Sequence, residues 1–484
     1  MAENTETKRS WLDRTFKLSE NGTTVRTEII AGLTTFMAMV YILMVNAGMF
    51  SDPFGDGTNV LGVSYGAIYI ATALSAIIGT VLIGLLAKLP LAQASGMGLN
   101  AFFVFTCVVT MGFTYANALV FILIDGVVFV LLTVTGLRKK IFDAIPRAVR
   151  VAIPAGIGLF IAFIGAQNAK IVVPDGSTGV AMGSMNLLNR PWAEIMPMVV
   201  TIIGLIAIAI MSQKKVKGAI FFGIVGSTAL YYLLGLTTNM YWGENALQVS
   251  IGNPLNAFAE WADQSLIKVF TEGFDFSAYL AVEGNNTGSL VLLLVTSALA
   301  FCIVDMFDTL GTLYGACARG NMLTAEGEVP NMNRAMLADA IATCTGAVCG
   351  TSTVTTFVES SAGIAEGGRT GLTSLVVALG FVVAMFLAPI AQLIPNCATA
   401  TALIYVGVLM MNGVKELDWT EPAVAVPSFL TIAMMVFTYN ISFGIGFGIL
   451  SYIFINLFTG KAKEINVATY VLGLLFIAMF LFTH

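Results

Sequence analysis

The chain has 484 residues, 57% of them apolar and only 11% charged, with a formal net charge of −5 and a mean hydropathy of +0.87. That composition excludes a soluble globular domain; the net charge says little, because in a membrane protein the placement of Lys and Arg relative to the spans is what matters, and no nucleic-acid partner is implied. A chain of this kind crosses a bilayer if its apolar residues gather into runs of about 20.

They do so repeatedly. Residues 1–28 form an arm in which Lys8, Arg9, Arg14 and Lys17 surround amphipathic positions, without the continuous apolar core and small-residue cleavage site of a secretory signal. Apolar runs follow near 29–49, 65–87, 91–111, 115–136, 148–167, 195–212 and 218–236. A polar connection over 237–288 interrupts them. The second series lies near 289–314, 334–350, 353–367, 370–392, 397–413, 425–440 and 442–459, and a further run at 466–483 fills the C-terminal segment 460–484. The stretch 425–459 is divided at Tyr439–Asn440–Ile441–Ser442 because one straight helix of that length overruns the bilayer. The last run is read either as a fifteenth span or as a helix lying along its neighbours.

Two series with an odd number of spans face opposite ways. The expected fold is therefore an all-α polytopic membrane protein of 14 spans in two inverted seven-span repeats, 29–236 and 289–459. Basic residues set its orientation. The N-terminal arm, Lys88, Arg138 to Lys140, Arg147, Arg150, Lys214 to Lys217, Arg319, Arg334, Arg369, Lys461 and Lys463 all fall on one side, which is read as the cytoplasm of a bacterial inner membrane. The connection 237–288 carries Glu244, Glu260, Asp263, Glu272, Asp275 and Glu283 against Lys268 alone, and is placed on the periplasmic side.

Two runs at corresponding places are broken. In the third, Gly96 and Gly98 interrupt the helix and Asn100 is expected to cap a new one. In the tenth, the β-branched start Thr351–Ser–Thr–Val–Thr–Thr356 suits an extended segment before a short helix carrying Glu359. Unwound backbone at membrane depth is tolerated where protein buries it or where it lines a cavity, so a matched pair points to a binding site. Close helix packing at small residues is the plainer explanation of either break alone.

Ionisable residues inside spans are costly and are functional candidates. Asp305 and Asp308 lie three residues apart in the eighth run, and together with Glu359 they present two or three acids to one cavity, an arrangement suited to taking up and releasing a proton. The sole histidine, His484, lies at the C-terminus, so proton chemistry rests on carboxylates. Asp125 and Asp339 are read as structural, satisfied by a Thr, a backbone amide or a basic loop residue. Glu366 and Arg369 are read first as a loop ion pair and second as a cytoplasmic gate. The six cysteines lack the short paired spacings of zinc sites, and no metal or cofactor is expected.

Two other functions are weighed. A carrier of small anions would place a basic residue at the centre, where this chain places acids. An intramembrane aspartyl hydrolase needs two carboxyls facing each other across a shared water, which adjacent turns of one helix do poorly.

At these residues the chain resembles the second nucleobase:cation symporter family, in its azaguanine, hypoxanthine, guanine and adenine permease branch. The resemblance rests on Gly22–Thr–Thr–Val–Arg26–Thr–Glu28, Gly96–Met–Gly–Leu–Asn100–Ala–Phe–Phe, Asp305–Met–Phe–Asp308–Thr–Leu–Gly–Thr312 and Glu359–Ser–Ser–Ala–Gly363 leading to Gly367–Gly–Arg–Thr–Gly371. It implies a uracil-permease-like fold with a core domain (spans 1–4 and 8–11) and a gate domain (spans 5–7 and 12–14), dimers, and import of an uncharged purine together with a proton. It further implies a substrate site at Asn100, Ala101, Phe102, Asp305, Val358, Glu359 and Ser360. Asp305 and Glu359 are then expected to hold the base, with proton coupling through Asp305, Asp308 and Glu359 and with Asp308 acting more on the transport cycle. The motif wording does not choose among hypoxanthine, guanine and adenine.

Overall fold

The computed structural model describes residues 11–136, 144–238, 252–324 and 328–482. Lys8, Arg9, Arg138 to Lys140, Glu244 and His484 lie outside them. After a short α1 (Trp11–Phe16), the first span opens at Thr24, whose extended backbone and side-chain oxygen, accepting from the Thr27 amide, cap α2 (Val25–Met39). α3 (Tyr41–Ser51) continues it almost in line. α4 (Tyr65–Leu82) is lengthened by a π-helical turn, Ile83–Ala87.

The third run is extended and then helical. β1 (Gln93–Ser95) leads into α5 (Met97–Ala101), which passes directly into a π-helical stretch, Phe102–Thr110. α6 (Tyr115–Thr135) starts on a reciprocal cap between Thr114 and Asn117. α7 (Arg147–Asn168), a hairpin of β2 (Val172–Asp175) and β3 (Gly179–Met182), α8 (Trp192–Gln213) and α9 (Ala219–Gly235) complete the first series. The connection holds α10 (Pro254–Gln264), α11 (Lys268–Thr271) and α12 (Ser277–Leu280).

α13 (Thr287–Arg319) runs for 33 residues from a cap between Asn286 and Ser289. α14 (Met332–Cys349) precedes β4 (Val354–Thr356) and the short α15 (Ser360–Ala365). α16 (Gly371–Met385), α17 (Ala388–Ala391), α18 (Asn396–Met410), α19 (Pro422–Phe437), α20 (Ile441–Phe458) and α21 (Val467–Phe482) follow. The expected division near Tyr439 is present, with Thr438–Asn440 turning between α19 and α20 and the Asn440 side chain capping α20.

The protein is a mostly helical membrane protein. Among the described residues, eight helices are long and apolar enough to cross a bilayer, from Val25–Ser51 to Ile441–Phe458, and shorter apolar helices lie between them. α4 packs on α14 and α16, and α6 on α13 and α14, while α7 packs on α18 and α19, and α8 on α9 and α18.

The two broken runs meet. β1 and β4 pair antiparallel, with Gln93 opposite Thr356, Ala94 opposite Thr355 and Ser95 opposite Val354. The pairing continues at both ends, where the Gly96 amide donates to the Thr353 carbonyl (3.0 Å) and the Phe357 amide to the Ala92 carbonyl (2.9 Å). Backbone groups that a helix would satisfy internally are thus satisfied across the pair, which is what permits extended chain in an apolar interior. All six strand residues are buried. Two glycines make room for this junction. Gly350 takes φ +90° just before β4, where a side-chain carbon would come within 2.6 Å of the Tyr115 hydroxyl, and a side chain at Gly98 would collide with Ile157 of α7.

Two local expectations are corrected. Asn100 does not cap a helix: Gly96 occupies that position, and the Asn100 amide donates to the Gly96 carbonyl (2.8 Å), making Asn100 an interior residue of α5. Glu366 and Arg369 do not pair. Glu366 meets Lys217 (2.6 Å), whereas the Arg369 guanidinium donates to the carbonyls of Ile364, in the last turn of α15, and of Gly368, in the turn after it, both at 2.7 Å.

Candidate functional site

Each strand of the central pair feeds a short helix. α5 carries Asn100, Ala101 and then Phe102, and α15 begins at Ser360, directly after Val358 and Glu359. The Glu359 carboxylate accepts from the Tyr41 hydroxyl of α3 at 2.7 Å. Val358 is 51% exposed and Glu359 partly so, although both adjoin a buried strand.

The two aspartates of α13 differ. Asp308 is partly open, receives the Thr355 hydroxyl at 3.3 Å and lies within electrostatic reach of Glu359. Asp305 is fully enclosed, with the Thr343 hydroxyl 3.3 Å from Oδ2. Beyond Asp308 the same helix face is uncovered by the described residues, since a side-chain carbon at Gly311 or Gly315 would meet none of their atoms within 4 Å. Among the described residues, neither Asp308 nor Glu359 is ion-paired to a Lys or Arg.

The other sequence-predicted residues stand further back. Asn100, Ala101 and Phe102 are fully buried; the Asn100 side-chain amide reaches the Ser95 carbonyl at 3.5 Å, its oxygen has no hydrogen-bond partner among the described residues, and Phe102 stacks on Phe301 with centroids 4.3 Å apart. The Ser360 hydroxyl accepts from the Ala92 amide (3.0 Å) and so closes the strand pair. Asp125 and Asp339 meet threonines as expected. Thr353 donates to Asp125 (3.2 Å), and Thr309 (2.9 Å), Thr356 (3.2 Å) and the Gln93 amide (2.7 Å) donate to Asp339.

Beyond α5 the third run is held by aromatic packing. Phe105 packs against Phe160 and Tyr439, Phe160 packs against Tyr439 at 5.5 Å, and Thr106 donates to the Tyr439 carbonyl at 3.0 Å. These contacts join the third run to α7 and to the turn before α20.

Sequence reasoning missed Tyr41, Thr355, Thr343, Gln93 and Glu28. Gln93 carried a signal as one of two amides, with Asn100, in an apolar run; Tyr41 carried none. Glu28 is fully buried and accepts from the amides of Arg369 (2.8 Å), Thr370 (3.3 Å) and Thr373 (3.1 Å) and from the hydroxyls of Thr370 (2.9 Å) and Thr373 (2.6 Å). A carboxylate at the N-terminus of α16 thereby ties the Gly22–Glu28 motif to the Gly367–Gly371 motif.

Residues 26–447 match the permease family model of the xanthine and uracil type. The chain belongs to this family of nucleobase:cation symporters. Its relatives include the adenine permease AdeP of Escherichia coli K12, 36% identical over 97% of this chain and 96% of that protein. The guanine/hypoxanthine permease PbuG of Bacillus subtilis is 37% identical over 96% of this chain and 99% of that one. Among solved structures, the transmembrane domain of the cyanobacterial bicarbonate transporter BicA superposes with a TM-score of 0.59 at 16% identity, covering 87% of this chain and 97% of the other. At that identity the likeness is one of fold. Members of the permease family are transporters, and this one is a multi-pass membrane transporter rather than a hydrolase.

Proposed function

We propose that this permease imports purine nucleobases (hypoxanthine, guanine or adenine) with a proton by alternating access. The observation that carries the reading is the near-full-length likeness to an adenine permease and a guanine/hypoxanthine permease. The site agrees in its chemistry. A neutral purine presents ring N–H and exocyclic groups; Glu359 and Asp308 supply acceptors, with no basic side chain paired to either among the described residues. Small anions would be repelled.

In this reading the fold is 14 spans in two inverted repeats, with core and gate domains as the resemblance implies, in a homodimer in the bacterial inner membrane with its N-terminus in the cytoplasm. In this state the substrate lies against Val358, Glu359 and Asp308, with Asn100, Ala101, Phe102 and Ser360 forming the wall behind it; Asp305, which the resemblance assigns to the base, is enclosed here and would meet it only after the core has moved. The uncovered Gly311–Gly315 face and the Phe105–Phe160–Tyr439 packing beyond α5 support an inward-open state. Rocking of the core against the gate then exposes the site to the opposite side.

Proteoliposomes test this directly. Labelled hypoxanthine should accumulate against its gradient when the exterior is acid, a protonophore should collapse the gradient, and unlabelled adenine and guanine should compete more strongly than uracil. Absence of purine uptake by correctly inserted protein rejects the proposal.

A further inference from the structure

Asp125, Asp305 and Asp339 lie behind the strand pair, each fully enclosed, and the donors around them are unequally shared. Asp339 is well served, with three donors spread over its two oxygens. Asp305 is not. Among the described residues its Oδ1 has no hydrogen-bond partner and its Oδ2 has only the Thr343 hydroxyl at 3.3 Å; Asp125 likewise has one donor, the Thr353 hydroxyl at 3.2 Å, but that hydroxyl is not shared with a carbonyl. That same hydroxyl lies 3.2 Å from the Val354 carbonyl of β4.

A hydroxyl has a single hydrogen, so Thr343 serves Val354 or Asp305 and not both. If Asp305 is a carboxylate, it either takes that hydrogen away from Val354 or remains without a donor in an apolar interior, and both arrangements are costly. If Asp305 is a carboxylic acid, its O–H donates to Thr343 and the Thr343 O–H donates to Val354. Every hydrogen is then used.

We infer that Asp305 holds a proton in this state and that Thr343 is a positioning residue that reports it to β4 through the chain Asp305 O–H, Thr343 O–H, Val354 C=O. The groups facing Asp305 are Asp125 from α6, Asp339 from α14, and Asp308 and Cys302 from its own helix; none is basic. Val354 is opposite Ser95, so the strand that receives the signal is paired to the strand that leads into α5 and itself leads towards α15. Loss of the proton to water, by way of the partly open Asp308, turns the Thr343 hydrogen towards Asp305 and releases the Val354 carbonyl. The inference rests on the proposed proton-coupled transport, in which the resemblance already makes Asp305 a proton carrier, and adds the hydroxyl and the strand that sense its protonation.

Infrared difference spectra between acid and neutral pH read the acid without any substrate. In the full-length protein in liposomes, a carboxylic-acid C=O band should vanish in Asp305→Asn, move to higher frequency in Thr343→Val, and return to its wild-type place in Thr343→Ser. In parallel, Thr343→Val should keep the hypoxanthine Kd of the wild type while its uptake loses pH dependence and its accumulation falls several-fold, with Thr343→Ser restoring both. A band unchanged in both Asp305→Asn and Thr343→Val, or a wild-type pH profile in Thr343→Val, overturns the assignment. Failure of the wild type to bind any purine would reject the substrate reading while leaving the infrared result decisive.

Discussion

The Tyr41 hydroxyl donates to Glu359 Oε1 over 2.7 Å, joining the first span to the half-helix of the second series. Tyr41 is 1% exposed, so its hydroxyl is held away from water, while Glu359 stays partly open. A hydrogen bond to a charged group contributes about 1.5–3 kcal/mol. Tyr41→Phe should therefore insert normally, since its ring packing is kept, yet weaken purine affinity on the order of tenfold or more. Glu359→Gln should abolish accumulation outright, because an amide keeps the size but carries no proton. Calorimetric binding and vesicle uptake on both variants check this; wild-type affinity in Tyr41→Phe would separate the tyrosine from the site.

Glu28 acts on stability rather than on substrate contact. Its carboxylate gathers three amides and two hydroxyls around the start of α16. Removing it leaves buried donors unsatisfied at about 1–3 kcal/mol each, part of which water entering the space recovers. Glu28→Ala should lower the thermal unfolding midpoint in detergent by several degrees, and Glu28→Gln, which keeps one acceptor oxygen, should lose less. Equal midpoints for wild type and Glu28→Ala would show that the cluster reorganises at no cost.

How far the sequence carried these features follows from what is local. The extended segments at 93–95 and 354–356 were readable, because glycine and β-branched residues interrupt helical periodicity where they stand. Their pairing with each other was not, since register depends on partners about 260 residues away and no local pattern names them. Likewise Asp305 and Asp308 share a helical face by spacing, but three residues leave them about 60° apart around the axis. That rotation is enough for α14 to enclose one while the other stays partly open. Glu366 was paired with Arg369 by proximity in sequence; the fold instead brings Lys217 to it and turns Arg369 onto the carbonyls of Ile364 and Gly368.

The Lys217–Glu366 pair, 2.6 Å apart, links the turn between α8 and α9 to the end of α15. Both side chains are partly exposed, at 53% and 27%, and pairs of that kind contribute about 0–1 kcal/mol to stability. Its effect should therefore appear in the transport cycle and not in unfolding. Lys217→Glu should slow uptake with an unchanged melting midpoint, and adding Glu366→Lys should restore it, because the swapped charges rebuild the same contact. A double variant as slow as Lys217→Glu would show that the pair is incidental.

The final prediction concerns Asp308, whose carboxylate is partly open, meets Thr355 at 3.3 Å and adjoins the uncovered face at Gly311. A ligand that approaches along that face reaches Asp308 before it reaches anything behind the strand pair. Asp308→Asn replaces one acceptor oxygen by a donor, so a purine N–H that was accepted there now faces another N–H unless the amide turns. Base affinity should fall by about ten- to a hundredfold, the range expected when a charge-assisted hydrogen bond is lost. Thr355→Val supplies the control. It removes the hydroxyl that holds Asp308 while leaving the carboxylate free, so it should cost affinity only modestly and alter the pH dependence of binding more than its strength. Titration calorimetry with hypoxanthine on both variants decides it: full binding by Asp308→Asn would remove this aspartate from the ligand and return the contact to the enclosed Asp305, which the ligand would reach only after the core had moved.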